Sequence, residues 1–251
     1  GALPLALAYA QYINCENPGD TDSCGVCANC NKYNKLIHAD LHFCYPVSGR
    51  EKLSTAYLEE WRKAFTDNPF LNVHQWIECI AAENKQGNIA ADEARDIIRK
   101  LTLKMFEGPY KVLIMWMPEY LAGEGNILLK LIEEPPENTL LLFVAEDIEK
   151  IIGTIQSRTQ RVQLMPLTEA DVMQGLMQKF GLDETKASAL ARVADGNFNA
   201  AIHLMGESDN NLHEVFRDWM LACVKHQMGT MIEKIEEIAG GLSEVEGEAV
   251  T

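Results

Sequence analysis

The chain has 251 residues, 47% hydrophobic and 24% charged, enough to bury a full core and to build more than one domain. A formal net charge of -15 argues against a surface that binds nucleic acid as a whole and leaves a local basic patch, or a basic partner, as the route to DNA. No apolar run reaches the ~18 residues of a membrane span, and no charged leader with a small-residue cleavage site opens the chain. Of its seven cysteines four are clustered, which fits a reducing, cytoplasmic setting with one metal site better than a secreted disulfide scaffold.

The first element, "PLALAYAQYIN" (4–14), predicts a helix with Pro4 in its first turn, where a missing N–H costs nothing. The cysteine segment that follows is rich in Gly, Pro, Asn and Asp and predicts a loop. Residues 54–66 predict an amphipathic helix, and "HQWIECIAA" (74–82) a short buried strand. Helical spacing through Ile89, Ala94, Ile97, Ile98, Leu101 and Met105 predicts a helix over 89–106. Next come a continuous apolar strand, "YKVLIMWM" (110–117), a helix over 119–134 stopped by Pro135 and Pro136, and a second apolar strand, "TLLLFVA" (139–145). Strand, helix and strand of these lengths make a parallel crossover unit buried on both faces. "RVQLMPL" (161–167) predicts one more strand; beyond it only helical patterns occur, over 168–180, 184–194, 197–206, 210–226 and 228–239. The expected architecture is an α/β domain followed by an all-helical region, divided near Pro166, with an acidic, aperiodic, frayed tail from Ser243.

Cys15, Cys24, Cys27 and Cys30 are spaced C-x8-C-x2-C-x2-C, and the two-residue gaps let adjacent thiolates turn toward one ion. Four thiolates complete the shell of tetrahedral Zn²⁺ and leave no open position, the pattern of a structural site. A redox C-x-x-C carries two cysteines at a helix start rather than four in a loop. A bacterial ferredoxin run needs one more Cys where this chain has Asn34. Four clustered thiols make zinc the favoured reading of a module over about 14–38. His38 and His42 flank Asp40 nearby, but four thiolates already fill the shell, so both stay outside the ligand set.

At "NILLKLIEEPPENTLLLFVAEDIEKIIGTIQSRTQRVQL" (126–164) the sequence resembles the ATPase domain of the bacterial sliding-clamp loaders, the DNA polymerase III delta-prime and gamma/tau subunits. The E-E-P-P helix end, the apolar strand and T-I-x-S-R carry the likeness, together with the four-cysteine insertion, which binds zinc in that family. The resemblance implies an AAA+ module: a P-loop-like parallel α/β domain (1–165), a three-helix lid (166–207) and a partial helical collar (208–251). It also implies a five-subunit ring whose partners are delta and gamma/tau, acting with the sliding clamp on primer-template DNA.

In the same comparison, Gly1 matches the final glycine of a P-loop, and Ala2 and Leu3 then occupy the Lys and Ser/Thr positions that hold phosphate and Mg²⁺. Trp116 stands where the Walker-B strand places its Mg²⁺-binding Asp and reads as a core aromatic, and Glu119, three residues on, reads as a surface residue or helix cap. Asn199 in "DGNFNAAIHL" replaces the lid's sensor Arg. These departures imply a chain that does not hydrolyse ATP, with ATP and Mg²⁺ only at neighbouring subunits. Ser157 and Arg158 keep the family's S-R motif, with Thr159 in place of Cys, and imply an arginine finger supplied in trans. The competing role for Arg158 is an ion pair with a nearby carboxylate, Glu146 or Glu149 for example. An intact finger beside an altered nucleotide site is the delta-prime pattern. The alternative is an ATP-hydrolysing, gamma/tau-like subunit with its P-loop upstream; a thiol oxidoreductase is a third reading. Residues 39–110, with Trp61 and Trp76, look like an elaboration of the family core, and Arg95, Arg99, Lys100 and Lys104 form one basic helix face. That face could meet DNA phosphates, but a solvated face on an acidic protein is the favoured role.

Overall fold

Three parallel strands organise the first part of the chain. The computed structural model describes residues 1–48, 51–80 and 87–207, together with isolated helical positions at 219–221, 223, 229 and 235. In chain order the first unit contains α1 (Ala2–Ile13), α2 (Ala28–Asn34), β1 (Leu41–Cys44), α3 (Leu58–Asp67), α4 (Val73–Ile80) and α5 (Ala91–Thr102). These are followed by β2 (Lys111–Trp116), α6 (Leu129–Glu133), β3 (Thr139–Val144) and α7 (Gly153–Gln156). The sheet order is β1-β2-β3, with Leu41 opposite Val112 and Lys111 opposite Thr139. The α/β class read from the sequence is therefore observed.

β2 is buried along its whole length, which is why it reads as an unbroken apolar run rather than an alternating one. Val112, Ile114 and Trp116 face a cluster built on Phe43, Tyr45, Trp61, Phe65 and Trp76. Leu113 and Met115 face a second cluster with Ile97, Leu101, Leu128, Ile132 and Ile155. Each such side chain contributes about 1.5–3 kcal/mol by leaving water. One buried cation interrupts the run: Lys111 reaches the C-terminus of α5, where its ammonium donates to the carbonyls of Leu101, Lys100 and Leu103. A cation at a helix C-terminus satisfies both the orphan carbonyls and the helix dipole.

Four expectations are corrected. Residues 74–82 do not start a strand: Val73–Ile80 is helix α4. Asn72 and Gln75 exchange hydrogen bonds of 2.8 and 2.9 Å between side chain and backbone, a capping box that nucleates the turn, while Trp76 is fully buried. The cysteine segment is not all loop, because Ala28–Asn34 forms α2 with Cys27 as its N-cap. The 119–134 helix is α-helical only from Leu129; Pro118–Leu128 is 3₁₀. Gly125 sits there against Ile152 and Ile155, where a Cβ would come within 2.9 and 3.0 Å, and glycine also lowers α-helical propensity. Finally, 161–167 forms no strand and pairs with no described strand, and it is solvent-exposed. β1 is a strand that the apolar pattern alone did not single out, since only four residues form it.

The chain divides into two units, Gly1–Met165 and Pro166–Thr251. In the second, α8 (Glu169–Phe180), α9 (Glu184–Ala194) and α10 (Phe198–Glu207) pack through Val172, Leu176, Ala187, Ala191, Phe198 and Ala201. Thr168 and Asp171 form a capping box at the start of α8, and Asp183 caps α9. Apart from the isolated positions given above, the helices expected over 210–226 and 228–239, the collar expected at 208–251 and the tail from Ser243 lie outside the described residues.

Candidate metal centre and interface arginine

Cys15 follows the end of α1, Cys24 and Cys27 lie on the turn after it, and Cys30 is in the first turn of α2. Their four sulfur atoms all lie within 4.8 Å of one another, with Cys24 and Cys30 Sγ 3.9 Å apart. A tetrahedral ion with metal–sulfur bonds of ~2.3 Å separates its thiolates by ~3.8 Å, so this cluster has the size of a Zn²⁺ shell. Backbone amides point at the sulfurs: Cys24 N–H donates to Cys15 Sγ (3.2 Å), Cys27 N–H to Cys24 Sγ (3.3 Å) and Cys30 N–H to Cys27 Sγ (3.4 Å). Such donors favour the thiolate, which is the ligating form. The backbone N–H groups of Val26 and then Cys27 lower the Cys24 thiol to about 6, whereas burial raises that of Cys30 to about 11. Gly25, with φ of 71°, turns the chain between Cys24 and Cys27 at a position an L side chain would strain. Four soft donors, thiolate-sized spacing and aimed amides fit a closed structural ion. No other group of three or more His, Cys, Asp or Glu side chains of this kind occurs among the described residues, and neither His38 nor His42 joins the group.

The module is tied to the sheet by polar contacts. Asn14 donates to Tyr33 Oη (2.6 Å) and accepts from Tyr110 N–H (3.0 Å), while Asn29 donates to the Asn14 carbonyl (2.9 Å). Asp40, just before β1, accepts from the N–H groups of Phe106, Glu107 and Gly108 at 2.7–2.8 Å. Glu107 in turn accepts from Ala39 N–H (2.8 Å) and pairs with Lys32 on α2. The His38 ring packs tilted against Tyr33, with ring centroids 4.7 Å apart, and its Nδ1 accepts from Asp40 N–H (3.2 Å). Its role is packing beneath the module rather than ligation.

Arg158 lies just beyond α7. Its Nε donates to Glu133 Oε1 (2.5 Å), and its Nη1 to the Thr154 carbonyl (2.9 Å) and Ser157 Oγ (3.2 Å). Arg158 is therefore paired with a nearby carboxylate, and the partner is Glu133 of the E-E-P-P helix end rather than Glu146 or Glu149. The Arg158 side chain remains about one third exposed, at 34%.

The family described as "DNA polymerase III, delta subunit" matches residues 1–168. The chain belongs to this family. Among curated relatives, DNA polymerase III subunit tau of Bacillus subtilis (strain 168) is 27% identical over 215 residues, covering 83% of this chain and 31% of that protein. DNA polymerase III subunit delta' of Escherichia coli (strain K12) is 23% identical over 209 residues, covering 82% and 51%. The delta' subunit of Haemophilus influenzae is 26% identical over 184 residues, covering 73% and 45%. The chain therefore spans about half the length, or less, of these relatives.

For this member of the DNA polymerase III delta subunit family, the residues aligned with nucleotide chemistry have other surroundings. Leu3 is buried in the aromatic cluster as the second residue of α1, with Gly1 as N-cap and Ala2 half-buried beside it. Trp116 is 3% exposed, with its ring 5.3 Å from that of Trp61, so it is a core aromatic. After it Met117 adopts a left-handed φ of 59° and Pro118 opens the 3₁₀ segment. Glu119 Oε1 accepts from the N–H groups of Glu146 (2.6 Å) and Asp147 (2.7 Å), so it braces the turn that follows β3. Asn199 is buried at the start of α10. On α5, Arg95 pairs with Asp92 (2.8 Å), and Arg99 and Lys100 both pair with Asp96 (2.5 Å each). Three of the four cations on that basic face are thus paired with two acids of their own helix, Asp92 and Asp96. Trp61 and Trp76 of the 39–110 segment lie at the centre of the aromatic cluster, so that stretch builds core. No helix among the described residues is long and apolar enough to cross a membrane.

Proposed function

We propose that this chain is a non-hydrolysing subunit of the DNA polymerase III clamp loader. In this reading it assembles with delta and gamma/tau subunits in the cytoplasm, helps place the sliding clamp on primer-template DNA, and presents Arg158 to ATP bound by a neighbouring subunit. One observation carries it: a semi-exposed arginine, oriented by Glu133, Thr154 and Ser157, lies on a chain whose two positions matched to Mg²⁺ ligands, the P-loop Ser/Thr and the Walker-B Asp, hold Leu3 and Trp116, both in the core. A hydrophobic core aromatic cannot hold Mg²⁺, whose ligands are oxygens. An arginine reaching a neighbour's phosphoryl group stabilises transition-state charge with no need of a site of its own.

The four cysteines would hold one structural zinc ion, which supplies cross-linking of the α1–α2 turn and no reactivity. Residues 166–207 would serve as the lid, and 208–251 would begin the collar. In the reconstituted loader, Arg158→Ala should lower turnover at the adjoining ATP site by about 10³-fold or more, read as DNA-stimulated phosphate release; wild-type turnover would reject the finger. The similarity to tau supports a second reading, an ATP-hydrolysing subunit. Mg²⁺-dependent hydrolysis by the full-length protein on its own, insensitive to Arg158→Ala, would establish that reading in place of the first.

A further inference from the structure

We infer that Glu133 is the positioning residue for Arg158, fixing the guanidinium so that one edge stays available to an anion brought by another chain. This rests on the reading of Arg158 as a group that acts in trans.

The geometry has three parts. First, the two elements that carry the pair are anchored. Leu131 and Ile132 of α6 are buried in the second core cluster, as is Ile155 of α7, and Glu133 is the last residue of α6. The backbone at Arg158 is held as well: its N–H donates to the Ile155 carbonyl (3.0 Å), which also accepts from Thr159 Oγ1 (3.1 Å). Second, the guanidinium is held from two sides. Glu133 takes Nε, while the Thr154 carbonyl and Ser157 Oγ take Nη1, so acceptors from both α6 and the α7 turn define its plane. Third, Nη2 makes no hydrogen bond to the described residues. A planar fork with Nε and Nη1 occupied offers Nη2 as its free donor, and a phosphoryl oxygen is the chemistry that meets it.

An exposed ion pair adds little to stability, so its value here is orientation. An arginine has many rotamers, and holding one of them in advance removes an ordering cost when the anion arrives. Ser157 acts in the same way from the other side, as an acceptor rather than a group that touches substrate.

The test uses the full-length protein in the reconstituted clamp loader, with ATP as the probe and DNA-stimulated hydrolysis as the readout. Glu133→Gln keeps the shape but removes the charge, and should lower kcat about 10- to 100-fold with KM for ATP little changed, the loss expected of a misplaced catalytic group. Glu133→Asp, which keeps the charge on a shorter arm, should recover part of that loss. In the Arg158→Ala background Glu133→Gln should have no further effect, which a merely structural role would not produce. Thermal unfolding of the isolated variants should match the wild type, since both side chains are partly exposed. A normal or raised kcat for Glu133→Gln beside a deficient Arg158→Ala would overturn this inference while leaving the finger standing. So would a full Glu133→Gln effect in the Arg158→Ala background. Unchanged turnover in Arg158→Ala would overturn both readings together.

Discussion

A Cβ built on Gly108 would stand 2.6 Å from Asn14 Oδ1 and 3.0 Å from His38 Cε1, and both of those side chains are buried. Asn14 cannot retreat without breaking its contacts to Tyr33 and Tyr110, nor His38 without losing its hydrogen bond from Asp40 N–H and its ring contact with Tyr33. Gly108→Ala should therefore cost about 1–3 kcal/mol of stability, as other overpacked sites do, measured by urea unfolding. Asp40 holds the same loop. Burial works against its charged form, but the N–H groups of Gly108, Glu107 and Phe106 keep its pKa below the ordinary carboxylate value. A carboxyl whose folded pKa is depressed contributes stability above its unfolded pKa and loses that contribution as the pH falls through the folded one. Asp40→Asn replaces one of two acceptor oxygens with a donor facing N–H groups. It should cost about 1.5–3 kcal/mol at neutral pH, and the gap between variant and wild type should narrow in urea titrations carried down to about pH 3. An undiminished gap in acid would mean that shape rather than charge holds the loop. None of this was legible in the sequence, because Asn14 and Tyr110 are 96 positions apart and Asp40 and Gly108 are 68 apart.

At the scale of elements, the cysteine turn and the strands β2 and β3 were readable for the same reason: their determinants are local. Two-residue gaps between thiols can be counted, and a continuous apolar run marks a strand; burial on both faces holds for β2, whereas β3, at the sheet edge among the described strands, is only half-buried up to Val144. If the thiols hold zinc, metal analysis should find about one ion per chain, the count for a closed Cys₄ site. Cys27→Ser should lower both that stoichiometry and the thermal midpoint, while Cys79→Ser, at an exposed cysteine outside the cluster, should change neither. Equal effects from the two variants would remove the site from the argument. α4 misled because "WIECI" satisfies a short buried strand and a short helix alike; the Asn72–Gln75 box decides it, and that box is a local signal the apolar run obscured. The 3₁₀ stretch over Pro118–Leu128 could not be distinguished from α-helix by spacing alone, since its glycine contact is with α7 and the residue before it.

For the whole molecule, residues 161–167 leave the first unit exposed, forming no strand and without a ladder partner among the described residues. Exposed, unpaired backbone is where proteases cut first. Brief trypsin treatment should cleave after Arg161 and release a fragment close to residues 1–161, while cuts inside the sheet of that unit should lag; early cleavage within β2 or β3 would contradict the division at Met165. By itself the sequence determined the α/β class with its parallel crossover, the four-thiol spacing, the S-R pair at 157–158 and the absence of a carboxylate at Trp116. All of these are matters of residue type and short-range period. Only the tertiary structure decided that the core aromatic Trp116 packs on Trp61, itself against Trp76, that Glu119 braces the turn after β3, and that Arg158 is met by Glu133. Each of these depends on which distant residues the sheet brings together, and burial and hydrogen-bond geometry exist only once the chain has closed on itself.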